Sequence, residues 1–149
     1  MSELEKIQRL IQKKLSTSID FSQISVNAEG YKKAITTNKS TSQIIVMRPF
    51  PISAIQNSNK VIFDNVELKI KIHIPIAESE KLSALTYAEK ICKKLHNSKI
   101  STATNFGKIL ISPNEPFEIL NNLSNIDSYI IKFIINGVKI WKLFLMECL

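Results

Sequence analysis

Between Val66 and Ile76 the chain alternates without a miss. Val66, Leu68, Ile70, Ile72, Ile74 and Ile76 are aliphatic, whereas Glu67, Lys69, Lys71, His73 and Pro75 between them are not. A period of two sends the two sets to opposite faces, so the pattern predicts a long β-strand with one buried and one polar face. Such a strand belongs to an antiparallel sheet covered on one side only. The next segment predicts the cover: Ser79 can cap a helix in which Leu82, Leu85, Ala88, Ile91, Cys92 and Leu95 form one stripe, closed by Asn97. Each fully buried aliphatic contributes roughly 1.5–3 kcal/mol, so about a dozen on this strand and helix would form the main core.

A second amphipathic pattern opens the chain. Ser2 and Glu5 make a capping box, and Leu4, Ile7, Leu10, Ile11 and Leu15 recur at helical spacing behind it. Glu3 and Glu5 in the first turn, with Lys13 and Lys14 in the last, suit the helix dipole. The stretch "FSQISVNAEG" predicts a short strand, residues 29–42 a mobile, polar, lysine-rich loop, and "QIIVMRPFPI" a second strand stopped by Pro49 and Pro51. Past the second helix, "GKILIS" reads as a short strand and "PNEPFEILNNL" as a brief helix or a loop. Asn136-Gly137 between two β-branched and aromatic runs predicts a two-residue hairpin. The order is α-β-β-α-β-β-β: one α+β domain over residues 1–149, with two helices packed on one face of an antiparallel sheet.

Composition changes this picture little. A chain of 149 residues, 44% apolar and 22% charged, is of globular type and long enough for one ordinary core. The N-terminus lacks a secretory pattern, and "YIIKFIINGVKIWKLFL" is interrupted by Lys132, Asn136, Gly137, Lys139 and Lys142, so synthesis in the cytoplasm without a membrane span is expected. Cys92 and Cys148 make no disulfide framework. The charge is +7, yet only Arg9 and Arg48 of the 20 basic residues are arginines, which favours a diffuse field over a surface that reads bases.

Candidate chemistry is sparse. His73 and His96 have no companions at metal-ligand spacing, three glycines cannot build a phosphate-cradling loop, and no serine sits on a sharp glycine turn near a histidine. Neither a cofactor, a metal nor a catalytic residue is expected. His73 reads as part of the polar strand face, and His96 as a last-turn imidazole suited to the helix dipole. Cys92 reads as a small core group. Trp141 admits two readings, as core or as an anchor for a neighbouring subunit.

The segment "VELKIKIHIPIAESEKLSALTYAEKICKKLHNSKI", with a leading helix "LEKIQRLIQKKL" and a late strand "SYIIKFII", resembles the tail-completion and tail-terminator proteins of long-tailed bacteriophages and the related minor tail proteins of prophages. The resemblance is one of element order over most of the chain. It implies a structural virion protein without enzymatic activity, forming a ring, usually a hexamer, on the end of the tail tube. There it would end tail polymerisation and join the tail to the head connector, with DNA passing non-specifically through the lumen. The expected contact residues are Lys32, Lys33 and Lys39 in the polar loop and Trp141 and Phe144 in the apolar terminal run. A small lysine-rich nucleic-acid-binding module is the alternative, and an enzyme with a site assembled across the fold is the third reading.

Overall fold

The computed structural model of the chain describes residues 2–30, 42–56, 60–76, 83–99, 107–119 and 126–141, with backbone alone at 56, 60 and 139–141. These residues form two α-helices, α1 (Glu3–Ser16) and α2 (Ala84–Leu95), and a 3-10 turn (Ile19–Phe21). The strands are β1 (Ser25–Ala28), β2 (Gln43–Val46), β3 (Phe50–Gln56), β4 (Lys60–Pro75), β5 (Ser98–Lys99), β6 (Lys108–Ile111), β7 (Phe117–Ile119), β8 (Ile126–Ile135) and β9 (Val138–Trp141). All nine join one sheet, whose main path runs β1-β2-β4-β8-β6-β5.

The chain is α+β, but the sheet is mixed. β1 and β2 pair in parallel, while β2, β3, β8 and β9 each pair with β4 antiparallel. This corrects the expectation of a purely antiparallel sheet, and the reason lies in connection length. A parallel neighbour needs a crossover of about a dozen residues or more, and residues 29–42 separate these two strands.

β4 organises the molecule. Val66, Leu68, Ile70, Ile72 and Ile74 are buried on one face, as the alternation predicts, whereas Ile76 beyond the strand is exposed. Their cross-strand partners on β8 include Ile131, Phe133 and Ile135, and on β2 Ile44 and Val46, all fully buried. Ile7, Ile11 and Leu15 of α1 and Ala84, Tyr87, Ala88, Ile91 and Leu95 of α2 enter the same core cluster. The stripe of α2 differs from the predicted one. Leu85 is exposed and Cys92 half-buried, because Ala84 and Tyr87 occupy the inward positions of the first turns. Ser79 lies outside the described residues, and Ser83 is the N-cap, its Oγ accepting from the N–H of Thr86 at 3.2 Å.

The Asn136-Gly137 hairpin is corrected as well. β8 and β9 both pair with β4, in one register from Pro75 with Ile126 to Lys60 with Trp141. The dipeptide therefore interrupts a long strand instead of reversing it. Gly137 takes the left-handed φ of 70° that glycine permits. Gly107 lies so close to the Asn136 carbonyl that a Cβ there would overlap it. Level with this break, β3 shifts register against β4 on either side of Ser53. The irregularities coincide and divide β4 into a half over the core and a half held between β3 and β9.

Two further expectations change. Pro49 and Pro51 do not end the strand region, since Pro51 sits inside β3, where an edge position tolerates its missing N–H. Within "PNEPFEILNNL", Phe117–Ile119 pairs with β8 as a strand and not as a helix or loop. Among the described residues, no helix is long and apolar enough to cross a membrane.

Candidate functional site

Of the predicted contact residues, Lys32, Lys33, Lys39 and Phe144 lie outside the described residues. Trp141 is placed by its backbone only, at the end of β9 opposite Lys60, so one edge of the run from Val138 to Trp141 is consumed by pairing within the chain.

The described surface has its apolar groups concentrated on two strands. On β3, Phe50 is 66% exposed, Ile52 51% and Ile55 55%. On β7, Phe117 is 41% exposed and Ile119 59%. Each strand pairs on one side only among the described residues, β3 with β4 and β7 with β8, so each also presents an unpaired backbone edge. Phe50 stands opposite Glu67 and Ile55 opposite Ile62, which puts apolar groups on both faces of β3. In the sequence this stretch reads only as the tail of a strand cut short by prolines. The signal that finds it is charge: Pro49 to Asn59 is the longest uncharged stretch of the chain. A strand with proline and bulges at its edge is guarded against indiscriminate pairing while keeping apolar surface for a specific partner.

The sheet face away from the core carries lysines and a buried polar row. Lys69 and Lys132 are cross-strand partners, and Lys71 follows on the same face. Lys69 pairs with Glu67 at 3.6 Å and Lys132 with Glu118 at 3.9 Å, which offsets part of that charge. Gln43, His73 and Ser128 are direct neighbours across β2, β4 and β8, and all three are buried. His73 thus lies on the predicted face but in an enclosed position. The register brings a serine beside a histidine that the sequence kept apart, since 55 residues of chain separate them only along the backbone.

A cleft of about 240 Å³ opens between the first turn of α1 and the β2–β3 link, lined by Ser2, Leu4, Glu5, Gln8, Arg48 and Pro49. Gln8 escapes a sequence reading because glutamine in an apolar stripe looks like a surface position. It is fully buried, and its Nε2 donates to the carbonyls of Glu29 and Val46, each at 2.9 Å, which ties α1 to the ends of β1 and β2. Its Oε1 has no hydrogen-bond partner. At the mouth, the backbone N–H and then the hydroxyl of Ser2 hold the Glu5 carboxyl below its ordinary pKa, with a smaller pull from Arg48.

His96 stands one residue past the last turn of α2 that its sequence position suggests. It is the C-cap of α2, and its Nδ1 accepts a hydrogen bond from the N–H of Ile111 at 3.1 Å, which joins the helix to β6. Lys93 and Lys94 supply the positive charge of the last turn. Among the described residues, no group of three or more His, Cys, Asp or Glu side chains is placed to hold a metal ion. Compared with known proteins, the chain matches no family model and shows no significant similarity to any curated protein.

Proposed function

We propose that this chain is a structural phage or prophage tail protein of the tail-completion type, which assembles into a ring on the tail tube without catalysing a reaction. In this reading both helices lie on one face of the sheet and leave its edges for neighbouring subunits. The ring, usually of six copies in proteins of this type, ends polymerisation of the tail and meets the head connector, and its lysine-rich surface tolerates DNA passing through the lumen. Its place is the virion tail.

The observation that supports the reading is the uncharged, apolar β3 strand, exposed at Phe50, Ile52 and Ile55 on a chain that is otherwise 22% charged. Apolar surface of that kind marks a protein-binding site and contributes nothing to solubility. The test is electron microscopy of tails made with and without the protein. Tails of uniform length that still join heads in its absence would overturn the reading.

Lys69, Lys71 and Lys132 on the sheet face away from the core favour a second reading, as a nucleic-acid-binding module. Salt separates the two. Binding through phosphates weakens steeply between low and moderate salt, whereas an apolar subunit contact persists.

A further inference from the structure

β3 and β7 lie on opposite edges of the same sheet, with β4 and β8 between them. Both edges expose large apolar side chains. They differ in charge. The uncharged run containing β3 is flanked in the chain by Arg48 and Lys60, whereas the stretch containing β7, residues 109–131, has no lysine or arginine and carries Glu115, Glu118 and Asp127. In a chain of net charge +7, this acidic stretch, with Lys132 already paired to Glu118, suits a basic-flanked edge of another copy.

The strand directions are compatible too. β3 runs antiparallel to β4, β4 to β8 and β8 to β7, so a second copy set beside the first in the same orientation brings its β3 antiparallel to the first copy's β7.

From these relations we infer that a second copy of this chain docks head-to-tail, the β3 edge of one subunit adding to the β7 edge of the next and extending the sheet across the contact. The contact is heterologous, because each copy spends one edge and presents the other, and it leads to a ring where the rotation closes and to a filament where it does not. It deepens the ring reading and rests on that reading for closure alone. Ile55 meets Phe117 and Ile119, which stand on the same face of the extended sheet, and on the other face, where Phe50 lies, Glu118 exchanges its long contact with Lys132 for the basic flank of the partner's β3.

Cysteine trapping tests it. Ile55→Cys and Ile119→Cys are placed singly in the full chain with Cys92→Ser and Cys148→Ser, mixed, and oxidised. Cross-strand neighbours stand at about 4.5–5.5 Å between Cα atoms, within reach of a disulfide. The expected product is the mixed dimer joining position 55 to position 119. Dimers joining 55 to 55 or 119 to 119 as readily would overturn the head-to-tail contact. In parallel, Ile55→Lys and Ile119→Lys, both at exposed positions, should each lower the mass of the particle in sedimentation at concentrations up to about 1 mM, where even a millimolar contact is half formed. A ring whose mass ignores both changes sinks this inference and leaves the ring reading standing. A filament or open chain sensitive to both upholds the contact and sinks the ring. A chain that stays monomeric throughout overturns both.

Discussion

Asp127 of β8 reaches the first turn of α2, where its Oδ2 accepts a hydrogen bond from the backbone N–H of Ala84 at 2.9 Å. The first turn of α2 has no acidic residue of its own. A carboxylate from another strand therefore does the work that a local acid would do at the positive end of the helix dipole, beside the Ser83 cap. The same bond fixes the helix against β8, so it links local structure to packing. Asp127→Ala should lower stability by about 1–2 kcal/mol, with Asp127→Asn recovering part of the loss. Thermal or urea denaturation reads this directly. A change in both variants below roughly 0.5 kcal/mol would mean that Ser83 alone secures the helix start.

Ile72 and Leu85 separate core from surface within the two elements whose sequence patterns are strongest. Ile72 is fully buried in the middle of β4, whereas Leu85 is 45% exposed on α2. Ile72→Asp should abolish folding, because it strands a charge in the core. Leu85→Asp should leave a folded protein, destabilised by about 1 kcal/mol or less. Circular dichroism of the two variants decides the matter. An unfolded Leu85→Asp would show that the inward face of α2 is misassigned.

These two residues also show what the sequence can convey. The period of two in β4 has a single solution once one face is buried, and Ile72 follows from it. The stripe of α2 is less determined. Ala88, Ile91 and Leu95 are buried as the pattern predicts, but Ala84 and Tyr87 are weaker hydrophobic signals than Leu85, so the predicted stripe departs from the buried one in the first turns and at Cys92. Asn136-Gly137 misleads because a turn signal is local, while its fate here depends on the pairing of β9 with Lys60–Phe63, far away in the chain. β7 is invisible for the same reason: three residues, all exposed, become a strand only through β8. The parallel pairing of β1 and β2 is implicit in the length of the segment between them. The apolar edges cannot be found from periodicity at all, since an exposed edge strand obeys none, and only the missing charge of Pro49–Asn59 betrays one of them.

Gly107 and Gly137 make a paired prediction about the break between β8 and β9. Gly137 has a left-handed φ with open space around the missing Cβ, so Gly137→Ala incurs backbone strain alone, about 1–2 kcal/mol. A side chain at Gly107 overlaps the backbone of Asn136, which cannot swing aside as a flexible side chain would. Gly107→Ala should therefore cost more than Gly137→Ala, and amide exchange should rise first around Asn136 and Val138. If Gly137→Ala were the more damaging change, the close approach of Gly107 would not be a constraint on the fold.

Cys92 gives a test that depends on pH. Burial, with a smaller contribution from the Glu89 carboxylate, pushes its thiol pKa up from the ordinary value. The thiolate is the reactive form, so in a Cys148→Ser background iodoacetamide should modify Cys92 more slowly than a free cysteine at the same pH, with the rate rising only at more alkaline pH. The stability sign comes from the same shift. The folded state holds the proton to higher pH than the unfolded chain, so the contribution is complete below the unfolded pKa of roughly 8.5 and is lost as pH rises through the folded value. Between about pH 8 and pH 10, Cys92→Ala should accordingly lose less stability than the parent chain, since lysine titration is common to both. Equal losses, together with alkylation as fast as that of a free thiol, would place Cys92 in solvent and contradict its half-buried position on α2.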